Sequence, residues 1–181
     1  MKFLAKGKRG KVYLTGEKTI IKKADGNRVR NEVYWLKKLN DKRVGPKLID
    51  YGKDWFEMEY IRGELMKDYL GRCSRKEAMA VLKDCLKQCR VMDLLKVNKK
   101  EMHHPDKHII IRKGEAVFID FERCKLTENP KNVTQFCQYI LKLSGMFPRK
   151  IKVGKEKMVE VMKYYKKEQS EKNFKKNLRL I

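Results

Sequence analysis

Apolar residues alternate with polar ones in the opening third of the chain and recur every third or fourth position after that. Lys11-Val-Tyr-Leu-Thr15 and Thr19-Ile-Ile-Lys22 alternate on either side of a Gly16-Glu-Lys18 turn, so both are predicted strands. Asp25-Gly-Asn27 breaks that pattern and supplies a cap for a helix over residues 28–39, with Val29, Val33, Leu36 and Leu39 as its apolar stripe. Beyond Gly45-Pro46, residues 47–51 and 55–61 form two further apolar runs, parted by Gly52-Lys-Asp54 and closed by Gly63. The order is strand, strand, helix, strand, strand.

A second region begins near Glu64. Ser74-Arg-Lys-Glu77 reads as a capping box, in which the hydroxyl and the carboxylate satisfy free N–H groups of the first turn. It opens a long helix to about residue 96, with Ala78, Val81, Leu82, Cys85, Leu86, Cys89, Met92 and Leu95 on one face. A polar, histidine-rich loop follows to Lys107. Ile109-Ile-Ile111 and Ala116-Val-Phe-Ile119 then flank Arg112-Lys-Gly-Glu115 as a β-hairpin. Helices are predicted over residues 132–143 and 155–168, with a last stripe at Phe174, Leu178 and Ile181. The expected class is α+β in a single domain, residues 1–61 strand-rich with one helix and residues 62–181 helical.

Composition narrows the class. The 181 residues carry 46 Lys+Arg against 23 Asp+Glu, a formal charge of +23, while 41% are hydrophobic, enough for a core and too many for a disordered chain. Charged residues make up 38%, about half of them lysine, a bias frequent in hyperthermophiles. There is no run of 18 apolar residues, and the N-terminus is too short in apolar residues for a signal peptide, so a cytoplasmic protein without a membrane span is expected. Cys73, Cys85, Cys89, Cys124 and Cys137 contain no CxxC pair, and small apolar core residues account for them. His103, His104 and His108 surround Pro105 at a spacing that fits no common zinc site.

Four positions carry candidate chemistry. Ala5-x-Gly7-x-x-Gly10-x-Val12 is a glycine turn between strands that allows backbone to approach phosphate oxygens, with Val12 placed to cover a flat base; glycine in an ordinary hairpin turn is the competing reading. Alternation puts Lys22 on the side of Ile20 and Lys23 on the other. Glu32 lies beside the buried helical stripe, where a carboxylate needs a cation, either Lys22 or a neighbouring arginine. Asp120 stands at the end of the apolar strand Val117-Phe-Ile-Asp-Phe121, where it serves a cation such as Mg²⁺ or caps the next turn.

In that order, glycine turn, strand lysine, helix glutamate and strand-end Asp-Phe resemble the protein kinase fold, over roughly residues 4–143. Met58-Glu-Tyr-Ile-Arg-Gly-Glu64, Pro105-x-Lys107-His108 and Ile119-Asp-Phe-Glu122, extended by Pro130-Lys-Asn-Val-Thr134 and Gln138-Tyr139, resemble a small archaeal family of predicted serine/threonine kinases. That family is distantly akin to RIO-type and lipopolysaccharide kinases. The resemblance implies a two-lobed fold, with a small antiparallel-sheet N-lobe, a reduced helical C-lobe and ATP with Mg²⁺ between them. It implies that Gly7, Gly10 and Val12 cover the nucleotide and that Met58, Glu59, Tyr60 and Ile61 border adenine. Lys22 then touches the α/β-phosphates, oriented by Glu32, and Asp120 holds Mg²⁺ with His108 or Glu122. The usual His-Arg-Asp is absent. Its acid falls to Glu101, nineteen residues before Asp120, or to Asp106, fourteen before it. Nothing after Glu122 resembles an activation segment.

The leading expectation is therefore an ATP-dependent phosphotransferase acting on an unidentified hydroxyl of a protein or small molecule. A nucleotide-binding pseudokinase scaffold is the second. A third is a module that binds RNA or a ribonucleoprotein through residues 142–181, where 13 Lys+Arg against 4 Asp+Glu surround Tyr164, Tyr165 and Phe174. Amphipathic helices with a lysine-rich solvated face explain that tail equally simply.

Overall fold

The computed structural model describes residues 1–7 and 10–181 and is a mixed α+β structure with antiparallel sheets and six helices among the described residues. The chain divides into two compact units, Met1–Gly63 with Val117–Cys124 and Glu64–Ala116 with Lys125–Ile181. The first unit thus takes back the second half of the hairpin's last strand and the turn that follows it.

In the first unit β1 (Lys2–Lys6), β2 (Gly10–Leu14), β3 (Thr19–Ala24), β4 (Leu48–Tyr51) and β5 (Trp55–Glu59) form an antiparallel sheet in the order β1-β2-β3-β5-β4. The alternation did not reveal β1, because every residue of this edge strand is exposed and no face of it is sorted by polarity. The single helix α1 (Gly26–Asn40) starts two residues before the expected 28, because Asp25 itself is the cap: its carboxylate accepts from the Asn27 N–H at 3.0 Å. Its stripe of Val29, Val33, Leu36 and Leu39 is buried, as are Ile20, Phe56 and Met58, which share one face of the sheet. Each such side chain contributes about 1.5–3 kcal/mol by leaving water.

The second unit begins with β6 (Glu64–Leu65) and α2 (Met66–Arg72), followed by α3 (Arg75–Leu94), β7 (Val97–Asn98), β8 (Ile109–Arg112) and β9 (Glu115–Phe118), whose last two residues belong to the first unit. After β10 (Lys125–Leu126) come α4 (Asn132–Met146), α5 (Lys155–Lys167) and α6 (Glu171–Arg179). The helix α2, absent from the sequence pattern, is only seven residues long, and Met66, Tyr69 and Leu70 are too few to set a period. The capping box of α3 is present in both directions, and the face from Ala78 to Met92 is buried. Between β8 and β9, Lys113 and Gly114 both have positive φ, as a two-residue hairpin turn requires. All five cysteines are free and buried.

A polar cluster ties these helices together. Buried Asp93 accepts from the Asn132 backbone N–H at 3.0 Å, its side-chain Nδ2 at 2.7 Å, the Val133 N–H at 3.3 Å and the Tyr165 hydroxyl at 2.9 Å. Arg90 donates to the same hydroxyl at 2.9 Å. Burial raises the Asp93 carboxyl above its ordinary value, against the opposing bonds from Asn132 and Tyr165. Among the described residues no helix is long and apolar enough to cross a membrane.

Candidate functional site

Register explains where Lys22 points. It lies opposite Val12 on β2 and Phe56 on β5, so its side chain leaves the sheet on the face that α1 covers. From α1, Glu32 meets it: Lys22 Nζ lies 2.7 Å from Glu32 Oε2. A third element completes the group, since the same Nζ lies 2.9 Å from Asp120 Oδ1 and 4.0 Å from Glu122 Oε2. One ammonium thus faces three carboxylates from the helix and from the turn after β9, all inside the first unit. Glu32 is 2% exposed and Asp120 34%, so the group grades from dry to wet.

Helix α1 also fixes the turn that carries the two outer carboxylates. Glu32 Oε1 accepts from the Phe121 N–H at 3.2 Å, and Asn31 Nδ2 donates to the Glu122 carbonyl at 2.7 Å. Trp35 Nε1 donates to the Cys124 carbonyl at 3.0 Å. Sequence reasoning passed over Asn31 and Trp35; the one available signal was a polar side chain directly beside Glu32 at the margin of the stripe. The expected strand through Asp120 stops at Phe118 instead. Asp120 has φ +64°, a left-handed conformation that aspartate tolerates and that turns the chain out of the ladder. Phe121 is fully buried, and Gly45, itself at φ +81°, lies so near that a Cβ there would sit 2.8 Å from Phe121 Cε2.

Charge follows from this geometry. Burial alone would lower the Lys22 pKa, but the carboxylates of Glu32 and Asp120 reverse the effect and hold it well above the ordinary lysine value. Burial raises the Glu32 carboxyl, more than Lys22 lowers it. Glu32, Asp120 and Glu122 offer oxygen ligand atoms within 4.8 Å of one another. Hard oxygen donors of this kind suit a cation such as Mg²⁺, which takes one or two carboxylates and completes its shell with other oxygens. Glu32 is the most buried of the three, while Asp120 and Glu122 stand nearer to solvent and are the residues that would hold the ion.

The remaining expected residues lie as follows. Gly7 and Gly10 close the β1–β2 turn through a Gly7 N–H to Gly10 carbonyl bond of 2.9 Å, with Lys8 and Arg9 outside the described residues. Gly10 also has a packing reason to be glycine, because a Cβ there would stand 2.7 Å from the Lys23 carbonyl oxygen. Met58 and Glu59 end β5; the Glu59 N–H bonds the Lys47 carbonyl and the Tyr60 N–H the Lys18 carbonyl, both at 2.8 Å, and Ile61 is buried.

In the second unit, Glu101 Oε2 lies 3.5 Å from Nζ of the buried Lys99, whose own N–H is held by Asn132 Oδ1 at 2.8 Å. Asp106 accepts from the Tyr139 hydroxyl at 2.7 Å. His108 belongs to this unit too, its N–H donating to the Pro105 carbonyl at 2.8 Å. Of the tail aromatics, Tyr165 and Phe174 are core residues, while Tyr164 stays 47% exposed with Lys176 Nζ 4.6 Å from its ring centre.

No family model matches the chain. An uncharacterized protein of Methanocaldococcus jannaschii is 30% identical to it over 77 residues, which are 42% of this chain. The match spans 66% of that protein's own length, just under two thirds.

Proposed function

We propose that the chain is a minimal protein-kinase-like phosphotransferase, its two units corresponding to the strand-rich and helical lobes of that fold. The observation that carries this reading is the Lys22 group: a strand lysine gripped by a helix glutamate at 2.7 Å and by an aspartate at 2.9 Å that precedes a buried phenylalanine. Phosphoryl transfer asks mainly for positioning and charge neutralisation, and this group supplies both. Lys22 neutralises phosphate oxygens of ATP, and Glu32 keeps its ammonium in place. Asp120 and Glu122 would hold Mg²⁺, which would supply further neutralisation of the phosphoryl charge when bound. The bond from γ-phosphorus to the bridging oxygen breaks, a bond to the acceptor oxygen forms, and the hydroxyl proton passes to a carboxylate, Glu101 or Asp106 by the resemblance. The products are ADP and a phosphoester.

The test is thermal stabilisation by Mg²⁺-ATP together with transfer of labelled γ-phosphate. At a hundred times Kd, ligand adds about 2.7 kcal/mol, or roughly 5–10 °C in Tm for a chain of this size. Lys22→Ala and Asp120→Ala should each lose that shift while remaining folded; a wild-type shift in both overturns the reading. A nucleotide-binding scaffold is the second reading, favoured by the Tyr139 hydroxyl already bonded to Asp106. Stabilisation by Mg²⁺-ATP without any transfer would select it.

A further inference from the structure

The sheet of the first unit has a second face, away from α1, and its register is unusual. Lys6 pairs with Lys11, Lys11 with Lys23 and Lys23 with Trp55, so one line across β1, β2, β3 and β5 holds three lysines and a tryptophan. Strands lie about 4.8 Å apart, and like charges directly opposite one another are destabilising. Lysine on an edge strand guards against aggregation, which explains Lys6 on β1 but not Lys11 and Lys23 on interior strands. No ion pair joins any of the three to a carboxylate among the described residues. Lys6, Lys11 and Lys23 line a pocket of about 400 Å³ together with Tyr13 and the single acid Asp54.

The neighbouring line on this face begins with two aromatic residues and continues through Ile21 to Glu57. Phe3 pairs with Tyr13, their rings meeting edge to face at 5.9 Å, and Phe3 is 56% exposed. Lys23 Nζ stands 5.9 Å from the Tyr13 ring centre, with Trp55 on its other side. Acids enter this line only on the last two strands, Glu57 on β5 and Asp50 opposite it on β4; Glu57 already accepts from Thr15 at 2.9 Å, and Glu59, two positions on, from the Lys47 N–H at 3.3 Å. A row of cations without carboxylate partners, beside the exposed ring of Phe3 and the half-buried rings of Tyr13 and Trp55, matches a ligand that alternates phosphate with flat bases.

We propose that this outer face of the sheet binds single-stranded nucleic acid, with Lys6, Lys11 and Lys23 against phosphates and Phe3, Tyr13 and Trp55 stacking bases. An acidic peptide would satisfy the lysines and leave the rings without a partner. A duplex would hide its bases from them. The surface is separate from the Lys22 group, which points to the other face, so the two readings stand or fall independently.

The experiment is fluorescence anisotropy of the full chain with labelled twelve-nucleotide oligo(U) and oligo(dT), from 50 to 300 mM salt. Both single strands should bind at least tenfold tighter than a duplex of equal length. Tyr13→Leu, which keeps bulk and removes the ring, should weaken binding about tenfold at every salt concentration without changing the slope against salt. Lys11→Glu with Lys23→Glu, two exposed substitutions, should lower that slope by about 1.4, since each phosphate contact on a single strand contributes about 0.7. Lys166→Glu with Lys167→Glu on α5 should change neither, and the sheet variants should keep their stabilisation by Mg²⁺-ATP. Absence of binding at 50 mM salt, indifference to Tyr13→Leu, equal affinity for duplex, an equal loss in the α5 variant or full competition by polyglutamate would each overturn the proposal.

Discussion

Replacing Lys22 by methionine keeps most of the side-chain volume and deletes one charge from among three carboxylates. Glu32, 2% exposed, then loses the cation 2.7 Å from Oε2 and keeps only the Phe121 N–H on Oε1. Removing one partner of a buried pair costs about 3–5 kcal/mol. The lower end applies here, because Asp120 is 34% exposed and can be hydrated, and because the Glu32 carboxyl, already raised by burial, relieves itself by taking a proton. A loss of about 3 kcal/mol corresponds to roughly 6–12 °C in Tm. Its pH dependence has a definite sign. In the wild type the Lys22 pKa is raised, so its contribution is complete below the ordinary lysine value and fades only as pH climbs through the folded one; it is constant between pH 5 and 8. In Lys22→Met the stranded Glu32 is held above its unfolded pKa, a penalty that is full at high pH and shrinks as the carboxyl protonates. Unfolding measured at pH 8 and pH 5 should therefore show the gap to wild type narrowing on acidification. A loss below about 1 kcal/mol at pH 8, or a gap that stays constant or widens at pH 5, refutes the placement of this charge.

Two other substitutions probe the scaffold. Gly45→Ala forces a Cβ into a left-handed residue 2.8 Å from the Phe121 ring, and should cost about 1–3 kcal/mol in thermal unfolding; a neutral result would mean that Phe121 is not packed there. Asp93→Ala leaves two backbone N–H groups, the Asn132 amide and the Tyr165 hydroxyl without their acceptor, so denaturant unfolding should register a loss of about 3 kcal/mol or more, and a loss under about 1 kcal/mol would remove Asp93 from the centre of the helical unit.

Periodicity was enough for most elements because a buried face sorts apolar from polar residues. The α1 stripe and the long face of α3 both show this. It failed where nothing was sorted, on the wholly exposed β1, and where the element was shorter than two turns, on α2. The meeting of Lys22 with Glu32 was legible because two charges beside apolar patterns each demand a counter-charge. The clamp made by Asn31 and Trp35 was not, since it acts on backbone carbonyls of residues 122 and 124, and a carbonyl leaves no mark in a sequence. The in-register lysines of the outer face were hidden for a related reason: pairing partners come from different strands, and only the observed register lines them up.

The return of Val117–Cys124 to the first unit has a consequence for how the protein is made. The chain passes from one unit to the other after residues 63, 116 and 124, so neither unit is a contiguous stretch of polypeptide. A ribosome that has released only the first 63 residues has delivered Lys22 and Glu32 but not Asp120, which lies 98 positions beyond the lysine. Nor has it delivered Phe121, whose ring lies against Gly45 and whose N–H bonds Glu32 of α1. The first unit can finish folding only after about half of the second has been synthesised. Closing so long a loop delays the step, and the early sheet waits with its helix incompletely covered. Cutting the chain at the first boundary would for the same reason yield a fragment lacking part of its own interior.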